Sequence, residues 1–394
     1  MNIAMFSWEA LEGLAVGGGA VYASRLAAAL AKAGHRVRLF TRLGPGQAMD
    51  EAVGGVMIRR CPWDRKPGFV DEIAALSESF AHYYADAFKA DGGYDIVHCH
   101  EWLTIGAGLK ALDMSPVRLA VSFHSTEWGR TGLWPDKGDS ARIAELEREG
   151  VEKADAVVAA SFWCRRLINE QFHPPDWKCE VVYHGADFPD PVAAVTAARD
   201  IREAAGMGPA APAVLFAGRF AKTGGGDLAA RACRLVSGRH PEARFLFVGE
   251  GPLEEEMRRE AGPNATFFPP RGRVIGPGFY RAVDLVLAPF RRDHNGRAVL
   301  PAWAAAKPVA VLKDGVPSEF VMHETNGWTT PDDPVELAAT IMAAFVNPEQ
   351  TAWMGRNGRT AAETAFTWEE SADRLLECYS RRQSLAAADA TREK

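Results

Sequence analysis

The sequence is short of several things, and each shortage narrows what the protein can be. Its six cysteines, Cys61, Cys99, Cys164, Cys179, Cys233 and Cys378, include no C-x-x-C pair. Scattered thiols of this kind serve as small apolar residues in a reducing compartment, and they outline neither a disulfide framework nor a cysteine zinc site. No apolar run approaches the roughly 18–20 residues that a membrane span requires. The opening "NIAMFSW" has no basic segment ahead of a long apolar core, so no secretory leader is expected. Excess positive charge is missing too: 45 Lys+Arg stand against 51 Asp+Glu, a net charge of −6. That balance argues against a nucleic-acid partner and against a chain held to membranes by charge alone. The expectation is a cytoplasmic protein, with peripheral contact to a membrane left open.

What is present is length and alternation. At 394 residues the chain exceeds one ordinary core, so two domains are expected. Short apolar runs alternate with helical patterns: "NIAMFS", then "AVYASRLAAALAKAG", then "RVRLFTR"; "YDIVHCH", then "IGAGLKAL", then "RLAVSFHS". Strands apolar on both faces between helices indicate a doubly wound α/β unit with a parallel sheet. The character changes at "FPDPVAAVTAARDIREAAGMGPAAPA", after which the alternation restarts with "AVLFAGR", "ARFLFVGEG" and "DLVLAPF". The expected division is a first domain over 1–187, a linker with a leading helix over 188–212, and a second domain over 213–366. A closing helix over 367–384 and a loose tail over 385–394 complete it. Two Rossmann-like domains would face each other across a cleft, with ligands at the C-terminal ends of the strands.

The chemically suggestive stretches fall at those strand ends. "VGGGAV" follows the first strand and opens a helix, so Gly17, Gly18 and Gly19 offer backbone N–H groups to an anion, although the G-x-G-x-x-G spacing is absent. "VHCHEWLT" carries His100 and Glu101, beside His98; a metal reading there lacks a third ligand at useful spacing. "VSFHSTEWGRTG" ends a strand in a polar loop with His124, Glu127 and Arg130. "GRFAKTGGGDLAARA" places Arg219 and Lys222 at a strand end before Gly224 and Gly225 and a helix, the outline of a phosphate cradle. "RRDHNGR" packs Arg291, Arg292, Asp293, His294, Asn295, Gly296 and Arg297 ahead of another helix.

In order and spacing these stretches resemble the retaining, glycogen-synthase-like glycosyltransferases of family 4, which have the GT-B fold. The likeness runs from "FSWE…VGGGAVYASRLAAALAKAGHRVRLFTR" through "FHSTEWGR", "VVYHGAD", "AGRF…GGGD" and "FVGEGPL" to "AAKPVAV", "TNGW" and "AFTWEESADRLLECY". The resemblance implies that Gly17, Gly18 and Gly19 meet a donor diphosphate, that His124 meets the donor sugar and that Arg219 neutralises the leaving phosphate. It implies a sugar-side carboxylate at Asp293. The family's lysine falls on Gly224, and its second, ribose-reading glutamate falls on Pro301. Lys222, Gly224 and Gly225 complete the phosphate set, while Asn295, Gly296, Arg297, Arg273, Val274, Ile275 and Glu250 are the donor sugar and base candidates. His100, Glu101, Glu127 and Arg130 form the acceptor side. No cofactor and no metal are expected, the partners being an activated sugar donor and an acceptor. The leading expectation is a retaining transferase using a nucleotide sugar. A sugar-phosphate donor, or a binding subunit without activity, are the alternatives that the replaced lysine and glutamate leave open.

Overall fold

The computed structural model describes residues 1–208, 210–269, 275–291 and 299–392, with side chains described as far as residue 380. The chain divides into two compact units, Met1–His184 with Trp368–Lys394, and Gly185–Thr367.

The first unit runs β1 (Asn2–Phe6), α1 (Gly18–Lys32), β2 (Arg36–Arg42), β3 (Asp50–Val53), β4 (Val56–Cys61), α2 (Phe69–Ala90), β5 (Ile96–His100), α3 (Trp102–Met114), β6 (Arg118–Phe123), α4 (Glu127–Thr131), α5 (Gly138–Lys153), β7 (Ala156–Ala159), α6 (Phe162–Phe172) and β8 (Cys179–Val181). Its sheet has the order β3-β4-β2-β1-β5-β6-β7-β8, parallel except for β3. In β1, Ile3 and Met5 enter one core cluster while Ala4 and Phe6 enter the other, and all four are fully buried. Alternate side chains of a strand point to opposite faces, so a sheet covered on both sides needs an unbroken apolar run. The exposed β3 is an addition to the expected pattern. It pairs with β4 through Gly54 and Gly55, both at positive φ (57° and 84°), as a two-residue hairpin turn demands.

The second unit runs α7 (Pro191–Ala204), β9 (Ala213–Ala217), α8 (Gly226–Ser237), β10 (Arg244–Val248), α9 (Glu254–Ala261), β11 (Ala265–Phe268), α10 (Pro277–Arg281), β12 (Leu285–Ala288), α11 (Val299–Ala304), β13 (Val309–Leu312), β14 (Gly327–Thr330), α12 (Pro334–Val346) and α13 (Pro348–Ala365). Its sheet order, β11-β10-β9-β12-β13-β14, is the doubly wound order 3-2-1-4-5-6. The stretch 188–212 contributes α7 to this unit: Arg202 donates to the carbonyls of Ala282 (2.7 Å) and Ala211 (2.9 Å).

The last helix, α14 (Trp368–Arg392), belongs to the first unit and continues past residue 384, where a loose tail was expected. Ser371 donates to the Tyr183 carbonyl (2.8 Å), Arg118 donates to the Tyr379 carbonyl, and the Tyr379 hydroxyl meets His98 Nδ1 (2.8 Å). Strand order reverses between β1 and β5 in the first sheet and between β9 and β12 in the second. Those two switch points are where ligands of open α/β sheets bind, and the sequence motifs lie at them.

Candidate functional site

In the first unit the glycine loop after β1 already holds an anion, and it is the chain's own. Glu9 Oε2 accepts from the backbone N–H groups of Val16 (2.6 Å) and Gly17 (2.5 Å), at the start of α1. A Cβ at Gly19 would fall 2.5 Å from Glu9 Oε1, so the glycine lets the carboxylate close on the helix N-terminus. The expected phosphate cradle at Gly17, Gly18 and Gly19 is thus an anion site occupied by a side chain that the sequence reading left out.

On the other side of the switch point, Glu101 follows β5 with φ 65° and ψ 168°. That region is essentially reserved for glycine and costs a side-chain residue about 1–3 kcal/mol. Several bonds hold it there. The Glu101 N–H donates to the Ser122 carbonyl (2.8 Å), and its carboxylate accepts from the His124 N–H (2.6 Å) and faces Arg130 (3.4 Å). Arg130 also meets Glu127 (2.9 Å) and Glu147 (3.1 Å), so three carboxylates surround one guanidinium. Glu147 is fully buried and takes the Glu127 N–H on both oxygens (2.9 and 3.0 Å). Burial raises its carboxyl to about 7, with Arg130 opposing the rise. Glu127 is itself buried. Of the expected acceptor-side residues, Glu101 and Arg130 keep partial exposure, while Glu127 serves the interior of this network.

His100 lies inside as well. It is 4% exposed, neither ring nitrogen has a hydrogen-bond partner, and burial pulls it down to about 3, so it is a neutral ring in the interior and not an accessible acceptor contact. His98 is saturated by Ser122 (2.7 Å) and Tyr379. The two rings stand 4.3 Å apart with both His98 nitrogens engaged, and among the described residues no group of three metal-ligating side chains gathers. His124, after β6, is half-buried; its Nδ1 lies 3.0 Å from His184 Nε2 and its ring meets the Tyr22 ring edge-on at 4.6 Å.

In the second unit the turn after β9 is drawn tight. Lys222–Gly224 make one turn of 3-10 helix, and Gly225 follows at φ 71° as the N-cap of α8. A Cβ at Gly225 would stand 2.1 Å from the Pro289 carbonyl oxygen, and one at Gly224 2.7 Å from the Arg219 carbonyl oxygen. The position expected to carry the family lysine is therefore closed to a side chain in this turn. Across the switch point, after β12, Arg291 clamps the turn. Its N–H donates to the Thr223 carbonyl (3.0 Å) and its guanidinium to the Lys222 carbonyl (2.7 Å), while Asp227 (2.7 Å) and Asp332 (2.5 Å) pair with it. Arg291, from the "RRDHNGR" stretch, is committed to two carboxylates. Arg219 and Lys222 are exposed, and their side chains make no hydrogen bond or ion pair among the described residues. Glu250 is exposed beside the same turn, its carbonyl accepting from the Phe220 N–H (2.9 Å), and Ile275 is half-buried. Pro301 is the third residue of α11, within the first turn, where its missing N–H is tolerated. Asp293, Asn295, Gly296, Arg297, Arg273 and Val274 lie outside the described residues.

Residues 17–185 match the family described as "Glycosyl transferase 4-like domain", and residues 211–347 match "Glycosyl transferases group 1". The chain belongs to the group 1 glycosyltransferases. An uncharacterized glycosyltransferase of Methanocaldococcus jannaschii is 27% identical over 96% of this chain and 98% of its own. A D-inositol 3-phosphate glycosyltransferase of Kineococcus radiotolerans is 29% identical over 95% and 92%. Among solved structures, sucrose-phosphate synthase from Thermosynechococcus elongatus superposes with a TM-score of 0.77 at 22% identity, covering 98% of this chain and 99% of that one. Anabaena HepE in complex with UDP-glucose gives 0.73 at 18%, covering 97% and 100%. These structural likenesses are of fold, and the fold is GT-B. The glycosyltransferase has, among its described residues, no helix long and apolar enough to cross a membrane.

Sequence reasoning missed Glu9, Glu147 and His184, all in the first unit of this glycosyltransferase. Glu147 sits in "AELEREG", whose charge density reads as a solvated helix face. His184 had a visible signal, a polar residue followed by glycine directly after an apolar strand.

Proposed function

We propose that this glycosyltransferase is a retaining enzyme that takes its sugar from a nucleoside-diphosphate donor. Arg219 and Lys222 hold the diphosphate, with the N–H groups of the 222–226 turn beside them, and His124 meets the donor sugar. One observation carries the reading. The turn after β9 leaves Arg219 and Lys222 exposed and unneutralised among the described residues, while the neighbouring Arg291 is locked between Asp227 and Asp332. Two cations without a partner among the described residues, beside a glycine turn at a switch point, offer a site suited to the charge of a leaving diphosphate. The solved structures of HepE hold UDP or UDP-glucose, which supports the same donor class here.

For the acceptor we propose a polyol, the class named for several relatives as inositol 3-phosphate. Glu101 and Arg130 offer it paired acceptors and donors. The surplus of carboxylate around Arg130 favours hydroxyl recognition there over direct phosphate contact.

The test is calorimetric titration with UDP, GDP, ADP and glucose 1-phosphate, in EDTA, on the wild type and Arg219→Ala. One nucleotide is expected to bind. The variant should bind it about 10–100-fold more weakly, the loss of one charge-assisted contact of about 1.5–3 kcal/mol. Its melting temperature should stay unchanged. Binding of glucose 1-phosphate alone would replace the nucleotide donor with a sugar phosphate, and equal affinity in the variant would remove Arg219 from the site.

A further inference from the structure

His184 ends the leading segment of the first unit and is 6% exposed. Its Nε2 lies 3.0 Å from Nδ1 of His124. Tyr22 restrains both rings at once, stacking on His184 at 4.4 Å and 30° and meeting His124 edge-on at 4.6 Å and 89°. The backbone of His124 is fixed by its N–H bond to Glu101, and Trp368, where the chain returns to this unit, stands 6.3 Å from the His184 ring. The ring of His124 is therefore held on one edge by a second, buried imidazole.

A gap of 3.0 Å between two ring nitrogens holds one hydrogen. If His184 carries it, neutral His124 has its own proton on Nε2 and donates there. If His124 carries it on Nδ1, its Nε2 is a bare acceptor. The pair thus ties the tautomer of His124 to that of His184: Nε2 of His124 donates when His184 carries the shared hydrogen and accepts when His124 does, and two protons in the gap are excluded because both nitrogens would then be donors.

We propose that His184 is a positioning residue: through the shared proton it couples the tautomer of His124 to its own and holds the ring in the orientation presented to the sugar. This rests on the reading that His124 meets the donor sugar, and it adds a residue that acts without touching substrate. A space-filling ring would be served by the stack on Tyr22 alone, so His184→Phe separates packing from hydrogen bonding. His184→Gln restores a polar group near the position of Nε2.

The experiment is ring-nitrogen NMR of the full chain labelled with 15N-histidine, at about pH 7.5, where free imidazole is mostly neutral. Signals are assigned by their loss in His124→Ala. His124 is expected to show one protonated and one bare nitrogen in the wild type, averaged nitrogens in His184→Phe, and the single tautomer again in His184→Gln. An unchanged His124 ring in His184→Phe overturns the proposal. In parallel, turnover of UDP-glucose should fall in kcat by about 10–100-fold in His184→Phe, the scale seen when partners orienting metal-bound histidines are lost. The donor KM should stay within about threefold, and His184→Gln should recover kcat. If His124→Ala turns over normally, the reading of His124 fails while the tautomer result stands. If His124→Ala is inactive and His184→Phe is normal, only the role of His184 fails.

Discussion

At the switch point of the first unit the polar groups are taken up by the chain itself. Glu9 fills the glycine loop, Glu101 closes on the His124 N–H, and Arg130 sits among three carboxylates. At the switch point of the second unit the shape comes from backbone. Gly224 and Gly225 press on the carbonyls of Arg219 and Pro289, Arg291 ties the turn to Asp227 and Asp332, and two cations remain outside this lacework. One edge is a preformed arrangement of buried charges; the other is a rigid backbone turn with charge to spare. The contrast teaches that strand ends in equivalent places of two doubly wound sheets can be made rigid by opposite means. Converging charges serve where side chains gather, and steric closure of the backbone serves where they do not.

The largest test of the contrast is Glu147→Ala. It leaves the Glu127 N–H without an acceptor and a cavity in the interior, while Arg130 keeps Glu101 and Glu127, so the first unit should lose about 3–5 kcal/mol. Urea unfolding followed separately for the two units reads this out, and a loss shared equally by both would break the comparison. Next comes Gly225→Ala in the second unit. A side chain at φ 71° costs about 1–2 kcal/mol, and the clash with Pro289 adds about 1–3 kcal/mol. The second unit should therefore melt earlier while the first is unmoved; a neutral Gly225→Ala would mean the turn is not sterically closed.

The smallest effect sharpens the comparison by pH. Glu147 rises to about 7 in the folded chain, above the unfolded carboxyl value, so the folded state binds more protons across roughly pH 4.5–7. Stability of the first unit should fall as pH rises through that window, by at most about 3 kcal/mol. Glu147→Gln should flatten the slope. A slope unchanged in the variant assigns the proton uptake to another group.

The fold was legible because buried parallel strands have no freedom in composition. "NIAMF" and "AVLFA" are almost wholly apolar, "IVHCH" adds two buried neutral histidines, and each proved a central strand. The hairpin strand β3 was not legible, since its four residues are all exposed and carry no apolar signal. At the proposed site, the exposure of Arg219 and Lys222 was legible because a strand, a turn and a helix frame them locally. Glu9, Glu147 and His184 were not, because each acts through a neighbour distant in sequence: His184 meets His124 sixty positions away, and Glu147 meets the Glu127 N–H twenty away. The clamp made by Arg291 was hidden for the same reason, its carboxylates lying 64 and 41 positions off.

The return of α14 to the first unit carries a consequence for how the protein is made. A ribosome delivers Gly185–Thr367 in full before it delivers Trp368. The second unit thus has its whole sequence available first, while the first waits for the final stretch to bring Ser371 to Tyr183 and Tyr379 to His98. An N-terminal fragment ending at His184 would lack that closing helix, and its core around Tyr22 and Leu26 would be left without Ala372 and Leu375. In the order of synthesis, the unit that begins the chain is the last to be finished.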